Sequence, residues 1–100
     1  MKTISTAELA KLLNEGKQLN IIDVREYEEV EEGMIPTAKH IPLGDLPVKY
    51  TELNKEEEYI MVCRSGARSG RACEFLSEKG FKVVNMVGGM LLWEEEVENA

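Results

Sequence analysis

The stretch from residue 59 to residue 79 constrains the fold more than any other part of the chain. Residues 59–62 form an apolar run that leads directly into Cys63, and a loop rich in glycine and arginine then leads into a segment whose apolar residues have helical spacing. An uninterrupted apolar run is typical of a strand that is buried on both faces of a sheet. The pattern predicts that Cys63 lies where a buried strand ends and a helix begins.

Other parts of the chain repeat this alternation of strand and helix. Strands are predicted at residues 20–24, 39–41 and 82–86, with a short edge strand at 3–5. Helices are predicted at 7–15, at 26–32 with Tyr27 and Val30 inward and the acids in solvent, from about 66 to 79, and after Gly88-Gly89. The alternation predicts an α/β domain with a mainly parallel central sheet flanked by helices, and we expect residues 1–100 to form one domain.

The loop after the central apolar run is basic, although the whole chain has a net charge of -7. Three of the four arginines, Arg64, Arg68 and Arg71, lie between residues 63 and 71, where no aspartate or glutamate occurs. Guanidinium groups bind small oxyanions through paired hydrogen bonds. A helix N-terminus and nearby arginines favour the thiolate of Cys63, and Gly66 can turn successive amides towards one anion. We therefore expect a positive pocket around a reactive cysteine.

Charge and composition argue against several other classes of function. An acidic chain is a poor ligand for nucleic acid or for an anionic membrane, and no apolar segment approaches the ~20 residues of a membrane span. The two cysteines form no disulfide framework and lack the paired spacing of a zinc site, so we expect no metal and no cofactor. A thiolate enzyme needs reduced sulfur, which predicts a cytoplasmic location.

Four sequence blocks point, in order along the chain, to one known family. Residues 63–69, Cys-Arg-Ser-Gly-Ala-Arg-Ser, resemble the active loop C-R-S-G-x-R-S of the single-domain rhodaneses, which are sulfurtransferases. Residues 22–26 resemble the family's I-D-V-R-E, residues 32–38 with 41–43 its E-G-H-I-P-G-A and I-P-L, and residues 88–93 its G-G-x-x-x-W. Met34 and Thr37 replace a histidine and a glycine of those blocks, and the tail lacks the family's G-x-P segment.

The resemblance implies a rhodanese-like fold and a thiosulfate sulfurtransferase that works through a persulfide. Cys63 would be the catalytic residue, which takes the outer sulfur of thiosulfate or a similar anionic donor and hands it to cyanide or a thiol. Arg64 and Arg68 would bind the sulfite end of the donor. The substrate-binding loop would consist of Arg64, Ser65, Gly66, Ala67, Arg68 and Ser69, whose amides surround the persulfide.

Three other interpretations of the loop remain open. The same Cys63 persulfide could belong to a sulfur relay in which a partner protein supplies or accepts the sulfur. The loop could also belong to a cysteine phosphatase or an arsenate reductase, but those enzymes use C-x5-R loops, and Cys63 and Arg68 have the shorter C-x4-R spacing. A tetrahedral phosphate needs the wider ring of amides, whereas a single sulfur does not. Lastly, Cys63 could be a small buried residue with no chemistry, as free cysteines often are.

Other residues with reactive or ionisable side chains are expected to have structural roles. Asp23 and Arg25 are expected to tie the end of a strand to neighbouring loops through hydrogen bonds and an ion pair. His40 is expected to pack or to lie at the surface. Cys73 is expected to face the core and not to act as a resolving thiol, and Trp93 is expected to anchor the last helix in the core.

Overall fold

The computed structural model describes residues 1–99, which form a parallel sheet with helices on both faces. Within this range the strands are β1 Lys2–Ile4, β2 Asn20–Asp23, β3 Lys39–His40, β4 Glu58–Val62 and β5 Lys82–Met86, in the spatial order β1-β5-β4-β2-β3. The helices are α1 Thr6–Asn14, α2 Tyr27–Val30, α3 Leu46–Lys49 and α4 Ala67–Glu78, with 3₁₀ turns at Leu43–Asp45, Tyr50–Glu52 and Gly89–Leu92. The α/β architecture with a parallel sheet is confirmed. A bilayer-crossing helix would need a length and an apolar character that no helix in residues 1–99 has.

The middle strand, β4, is buried on both faces because its side chains alternate between two hydrophobic clusters. Met61 lies in the cluster that also contains Leu76 of α4, and Ile60 lies in the cluster that also contains Leu9 of α1. All four side chains are almost completely buried. This double burial explains the uninterrupted apolar run in the sequence, and it fixes the position of the residue that follows the strand.

A buried ion pair ties the end of β2 to the loops beside it. Arg25 Nη2 lies 2.8 Å from Asp23 Oδ2 and donates a second hydrogen bond to Gly33 O at 2.8 Å. Arg25 Nη1 donates to Glu29 O at 3.3 Å. The structural role expected for Asp23 and Arg25 is confirmed. Its consequence is that α2 is held beside the carboxyl ends of β2 and β4.

Helix α2 is shorter than predicted, and the prediction that Tyr27 faces inward is wrong. Tyr27 is 59% exposed, whereas Val30 is buried. A helix of one turn can bury only one side, and Val30 occupies that side. Tyr27 instead packs edge-on against the ring of His40, with the ring centroids 4.8 Å apart. His40 Nε2 lies 2.6 Å from Arg25 O, so the histidine has a packing role.

The prediction of a helix after Gly88-Gly89 is also wrong, because only the 3₁₀ turn Gly89–Leu92 forms there. Trp93 leaves that turn in an extended conformation, and it packs partly buried against the cluster beneath α1. Further along the tail, Glu98 exchanges two backbone hydrogen bonds of 2.8 Å with Met34. This bridge requires an extended chain at Glu98. It therefore disfavours a helix through the three consecutive glutamates at residues 94–96.

We expect Gly89→Ala to destabilise the protein more than Gly88→Ala. A Cβ at position 89 would overlap the backbone carbonyls of Cys63 and Arg64, which cannot move without distorting the loop after β4. A Cβ at position 88 would meet only the flexible, exposed side chain of Leu92. Both glycines have positive φ, so the cost of placing an L-residue there is common to the two variants.

Urea denaturation of the two variants measures the difference. The excess cost of Gly89→Ala is expected to be about 1–3 kcal/mol in the free energy of unfolding, the usual range for forcing an atom into packed backbone. Equal losses in the two variants would show that the turn and the loop are not packed as tightly as described.

Candidate active site

Cys63 directly follows the central strand and lies at the start of a tight loop that ends in α4. The chain turns at Gly66, whose φ of 106° is a conformation that glycine adopts at little cost. This turn brings the Gly66 amide to 3.0 Å from Cys63 Sγ. In open parallel sheets, ligands bind beyond the carboxyl ends of the strands, and Cys63 occupies that position on the middle strand.

The sulfur of Cys63 is surrounded by hydrogen-bond donors. The Ser69 hydroxyl lies 3.3 Å from Sγ, in addition to the Gly66 amide. Burial raises the pKa of Cys63, but hydrogen bonds from the Ser69 side chain and from the amides of Ser69, Gly66 and Ser65 lower it by more in total. The pKa of Cys63 therefore lies below its ordinary value. The surroundings favour a thiolate, as the loop sequence predicted.

Cys63 is nevertheless 0% exposed. The next two residues of the loop, Arg64 and Ser65, are exposed. A cavity of about 720 Å³ lies elsewhere, lined by residues of α1, Pro36 and Trp93, and it includes no residue of the cysteine loop. The chemistry suggested by the sequence is therefore centred on the loop and not on that cavity.

Arg68 forms a two-pronged ion pair with Glu29 of α2. Arg68 Nη1 and Nη2 lie 2.6 and 2.7 Å from the two carboxylate oxygens of Glu29. The hydrogen bonds from Arg68 are the main reason why the pKa of Glu29 is lowered to about 2. The prediction that all acids of residues 26–32 form a solvated face is therefore wrong for Glu29. The Arg68 charge next to the loop is partly neutralised.

The other loop arginine, Arg64, is exposed, and within residues 1–99 its side chain has no hydrogen-bond partner. Arg71, on α4, is also exposed. The three arginines that lie close together in the sequence therefore have different surroundings in the structure. Arg64 is available to a ligand, whereas Arg68 is already bound within the protein.

Asn85 of β5 is a site residue that the sequence interpretation missed. Its Oδ1 lies 2.5 Å from Ser69 Oγ, and its Nδ2 donates to Gly66 O at 3.1 Å. Both Asn85 and Ser69 are buried. A signal was present, because Asn85 is the polar residue in an otherwise apolar strand centre, and a buried amide needs hydrogen-bond partners.

Cys73 faces the core, as predicted. Its side chain is buried in the cluster beneath α4, and burial raises the pKa of Cys73 to about 12. It is not bonded to Cys63. Within residues 1–99 no group of three or more histidine, cysteine, aspartate or glutamate side chains is placed to hold a metal ion.

Comparisons with known proteins agree with this arrangement. Residues 5–96 match the family described as "Rhodanese-like domain". The chain is 52% identical over 98 residues to "Putative sulfurtransferase YtwF" of Bacillus subtilis (strain 168), covering 98% of this chain and 95% of that protein. It is 41% identical over 96 residues to "Putative sulfur carrier protein YrkF" of the same organism, covering 95% of this chain and 52%, about half, of YrkF.

A solved structure gives the same result at the level of the fold. The crystal structure of a rhodanese-like domain protein from Staphylococcus aureus superposes with a TM-score of 0.94 at 42% sequence identity, covering 100% of this chain and 99% of that one. The family model and the similarity to named sulfurtransferases place the chain in the rhodanese-like sulfurtransferase class. The chain belongs to the rhodanese-like family, which confirms the resemblance seen in its four sequence blocks.

The donors around Sγ predict how the two cysteines react with a small alkylating reagent. Cys63 should react with iodoacetamide along a pH profile whose midpoint lies below that of a cysteine in an unstructured reference peptide, because hydrogen bonds to Sγ lower the pKa of Cys63. Cys73 should stay unmodified in the folded protein across the same pH range, because its pKa is raised to about 12. Peptide mass spectrometry distinguishes the two sites, and Cys63→Ser is the control. A Cys63 midpoint above that of the reference peptide would contradict the electrostatics described here.

Proposed function

We propose that this protein transfers sulfane sulfur from thiosulfate, or a similar anionic donor, to cyanide or a thiol through a persulfide on Cys63. The observation that carries the proposal is the position of the Cys63 sulfur, which lies within reach of the Gly66 amide and the Ser69 hydroxyl at the end of the central strand. Family membership and the name of its relative YtwF support the same class of reaction.

In the first half-reaction the Cys63 thiolate attacks the outer sulfur of thiosulfate. A new S–S bond forms to Cys63, the S–S bond of thiosulfate breaks, and sulfite leaves with the bonding electron pair. Cys63 then carries a terminal sulfur with one negative charge. A thiolate nucleophile requires no general base, and the loop amide held close to Sγ stabilises its charge.

In the second half-reaction the acceptor attacks the terminal sulfur of the persulfide. Cyanide gives thiocyanate, and a thiolate gives a new persulfide. In both cases the S–S bond to Cys63 breaks and its electron pair returns to Cys63, which regenerates the thiolate. The loop of Arg64, Ser65, Gly66, Ala67, Arg68 and Ser69 forms the donor site, and its amides surround the transferred sulfur.

The two loop arginines have different parts in this proposal. Arg64 is exposed and binds the sulfite end of the donor directly. Arg68 contributes its charge close to Cys63 while it is held by Glu29, and it contacts the donor only if it leaves that carboxylate. The proposed donor site is therefore less positive than the sequence alone suggests.

A sulfur relay is the second candidate function. It is favoured by the full burial of Cys63 together with the exposed Leu91 and Leu92, each 60% exposed, since Leu91 N is bonded to Arg64 O of the loop. An apolar surface beside the loop suits contact with a partner protein. The relative YrkF is named as a sulfur carrier. In the relay, a partner and not thiosulfate supplies or accepts the sulfur, and a reducing compartment such as the cytoplasm suits both versions.

Intact-protein mass spectrometry tests the proposal directly. After incubation with thiosulfate the protein should gain the mass of one sulfur, and the added mass should disappear on treatment with cyanide. Cys63→Ser should gain nothing, whereas Cys73→Ser, the matched control, should gain one sulfur like the unaltered protein. No gain on the unaltered protein, or an equal gain on Cys63→Ser, would refute the assignment.

Steady-state turnover separates the candidate functions. Rapid production of thiocyanate from thiosulfate and cyanide without any other protein supports the sulfurtransferase. A persulfide that forms only after incubation with a protein donor supports the relay. Hydrolysis of an aryl phosphate, with phosphate on Cys63, would instead establish the phosphatase alternative.

Substitution of the arginines tests their proposed parts. Arg64→Ala should lower kcat/KM for thiosulfate about ten- to a hundredfold, mainly through KM, since it removes a charge-assisted contact. Arg71→Ala, the matched control, should change kcat/KM by no more than about threefold, because an isolated exposed charge contributes little. Similar losses in both variants would point to a diffuse field and not to a specific contact.

Arg68→Ala is expected to lower kcat/KM by a similar factor, but it also leaves Glu29 without its partner. The double variant Arg68→Ala/Glu29→Gln removes that added negative charge. Recovery of part of the activity in the double variant would assign part of the loss to the unpaired Glu29. No recovery would assign the loss to Arg68 itself.

A further inference from the structure

The Ser69 hydroxyl lies between two acceptors but has only one proton. Its oxygen is 2.5 Å from Asn85 Oδ1 and 3.3 Å from Cys63 Sγ. A serine hydroxyl can donate a single hydrogen bond at a time, although its oxygen can accept others. The side chain of Ser69 is 0% exposed, so solvent does not relieve the competition.

The orientation of Asn85 is fixed by its second contact. Asn85 Nδ2 lies 3.1 Å from Gly66 O, and a carbonyl oxygen can only accept. Rotating the amide by half a turn would place two acceptor oxygens against each other. Oδ1 must therefore face Ser69, and an oxygen pair at 2.5 Å requires a proton between them. That proton belongs to Ser69.

The preferred acceptor changes with the charge on Cys63. When the sulfur is a thiol, its S–H can donate to Ser69 Oγ while Ser69 donates to Asn85. When the sulfur is a thiolate, it becomes a charged acceptor, and a hydrogen bond to a charged acceptor is stronger than one to an amide. The hydroxyl then turns towards Sγ, and the contact with Asn85 Oδ1 is lost.

We propose that Asn85 is a positioning residue, which holds the Ser69 proton away from neutral Cys63 and releases it when the sulfur becomes charged. Asn85 thereby sets part of the cost of ionising the nucleophile. Arg68 of α4, which is paired with Glu29 of α2 and also interacts with Glu26, interacts electrostatically with Cys63. Arg64 of the loop is exposed, and Asn85 of β5 is neutral. The inference rests on the proposed role of Cys63 but not on the identity of the sulfur donor.

A double-mutant cycle on the alkylation profile of Cys63 tests this inference. The four proteins are the unaltered chain, Ser69→Ala, Asn85→Leu and the double variant, and the reading is the pH midpoint of the iodoacetamide reaction at Cys63. Ser69→Ala should raise the midpoint, because a donor to the thiolate is lost. Asn85→Leu should have different effects on the midpoint in the two backgrounds. With Ser69 present, its shift should lie towards lower pH compared with its shift in the Ser69→Ala background, because the acceptor that competes with Sγ for the Ser69 proton is gone.

The cycle separates this role from a purely structural one. Asn85→Leu also removes the bond to Gly66 O, but that loss is present in both backgrounds and cancels in the comparison. Residues in direct contact are usually coupled, so we expect the two Asn85→Leu shifts to differ by roughly half a pH unit or more. Equal shifts in the two backgrounds would overturn the inference. Asn85→Ala gives the same cycle if leucine does not fit.

The positioning role of Asn85 and the transfer of sulfur from thiosulfate can fail separately. Coupling between Ser69 and Asn85 without any sulfur uptake from thiosulfate would retain the positioning role and refute the sulfurtransferase. A persulfide on Cys63 together with equal shifts in both backgrounds would refute the positioning role alone.

Discussion

The site depends on hydrogen bonds that residues outside the loop donate to the carbonyl groups of the loop after β4. The carbonyls of Cys63, Arg64 and Gly66 accept hydrogen bonds from the segment that contains β5 and the following 3₁₀ turn. With these carbonyls held outward, the loop amides are free to face the sulfur. The geometry of the loop around Sγ thus depends on the neighbouring strand and its turn as well as on the loop itself.

Electrostatic balance shapes the same site. The chain is strongly acidic, but its cysteine loop is rich in arginine. Glu29 forms an ion pair with Arg68 and neutralises part of the positive charge of the loop. A site built only of free arginines would bind any small oxyanion strongly. Partial neutralisation leaves Arg64 as the exposed group for an anion and keeps the field near Cys63 moderate.

The sequence predicted the features that depend on local pattern. The apolar runs at β2, β4 and β5 predicted buried parallel strands, and the loop composition placed Cys63 at a strand end before a helix. The family resemblance predicted the fold, and the comparisons confirm it. The catalytic and binding roles of residues 63–69 remain predictions.

Features that depend on long-range pairing could not be predicted in the same way. Glu29 meets Arg68 across 39 residues of sequence, and it looked like one surface acid among several. The tail was expected to be helical because its apolar spacing allowed it, but the bridge between Met34 and Glu98 holds it extended. Asn85 was detectable in principle, since a polar side chain inside a buried strand signals a partner, but its partner could not be named from sequence.

The complete burial of the Cys63 side chain has a consequence for the durability of the thiol. A thiolate is the form of cysteine most easily oxidised, and susceptibility follows both its charge and its accessibility. Enclosure by the loop keeps bulky disulfides away from a sulfur that its own hydrogen bonds make reactive. With no exposed surface, the sulfur meets an oxidant from solution only when the loop around it moves.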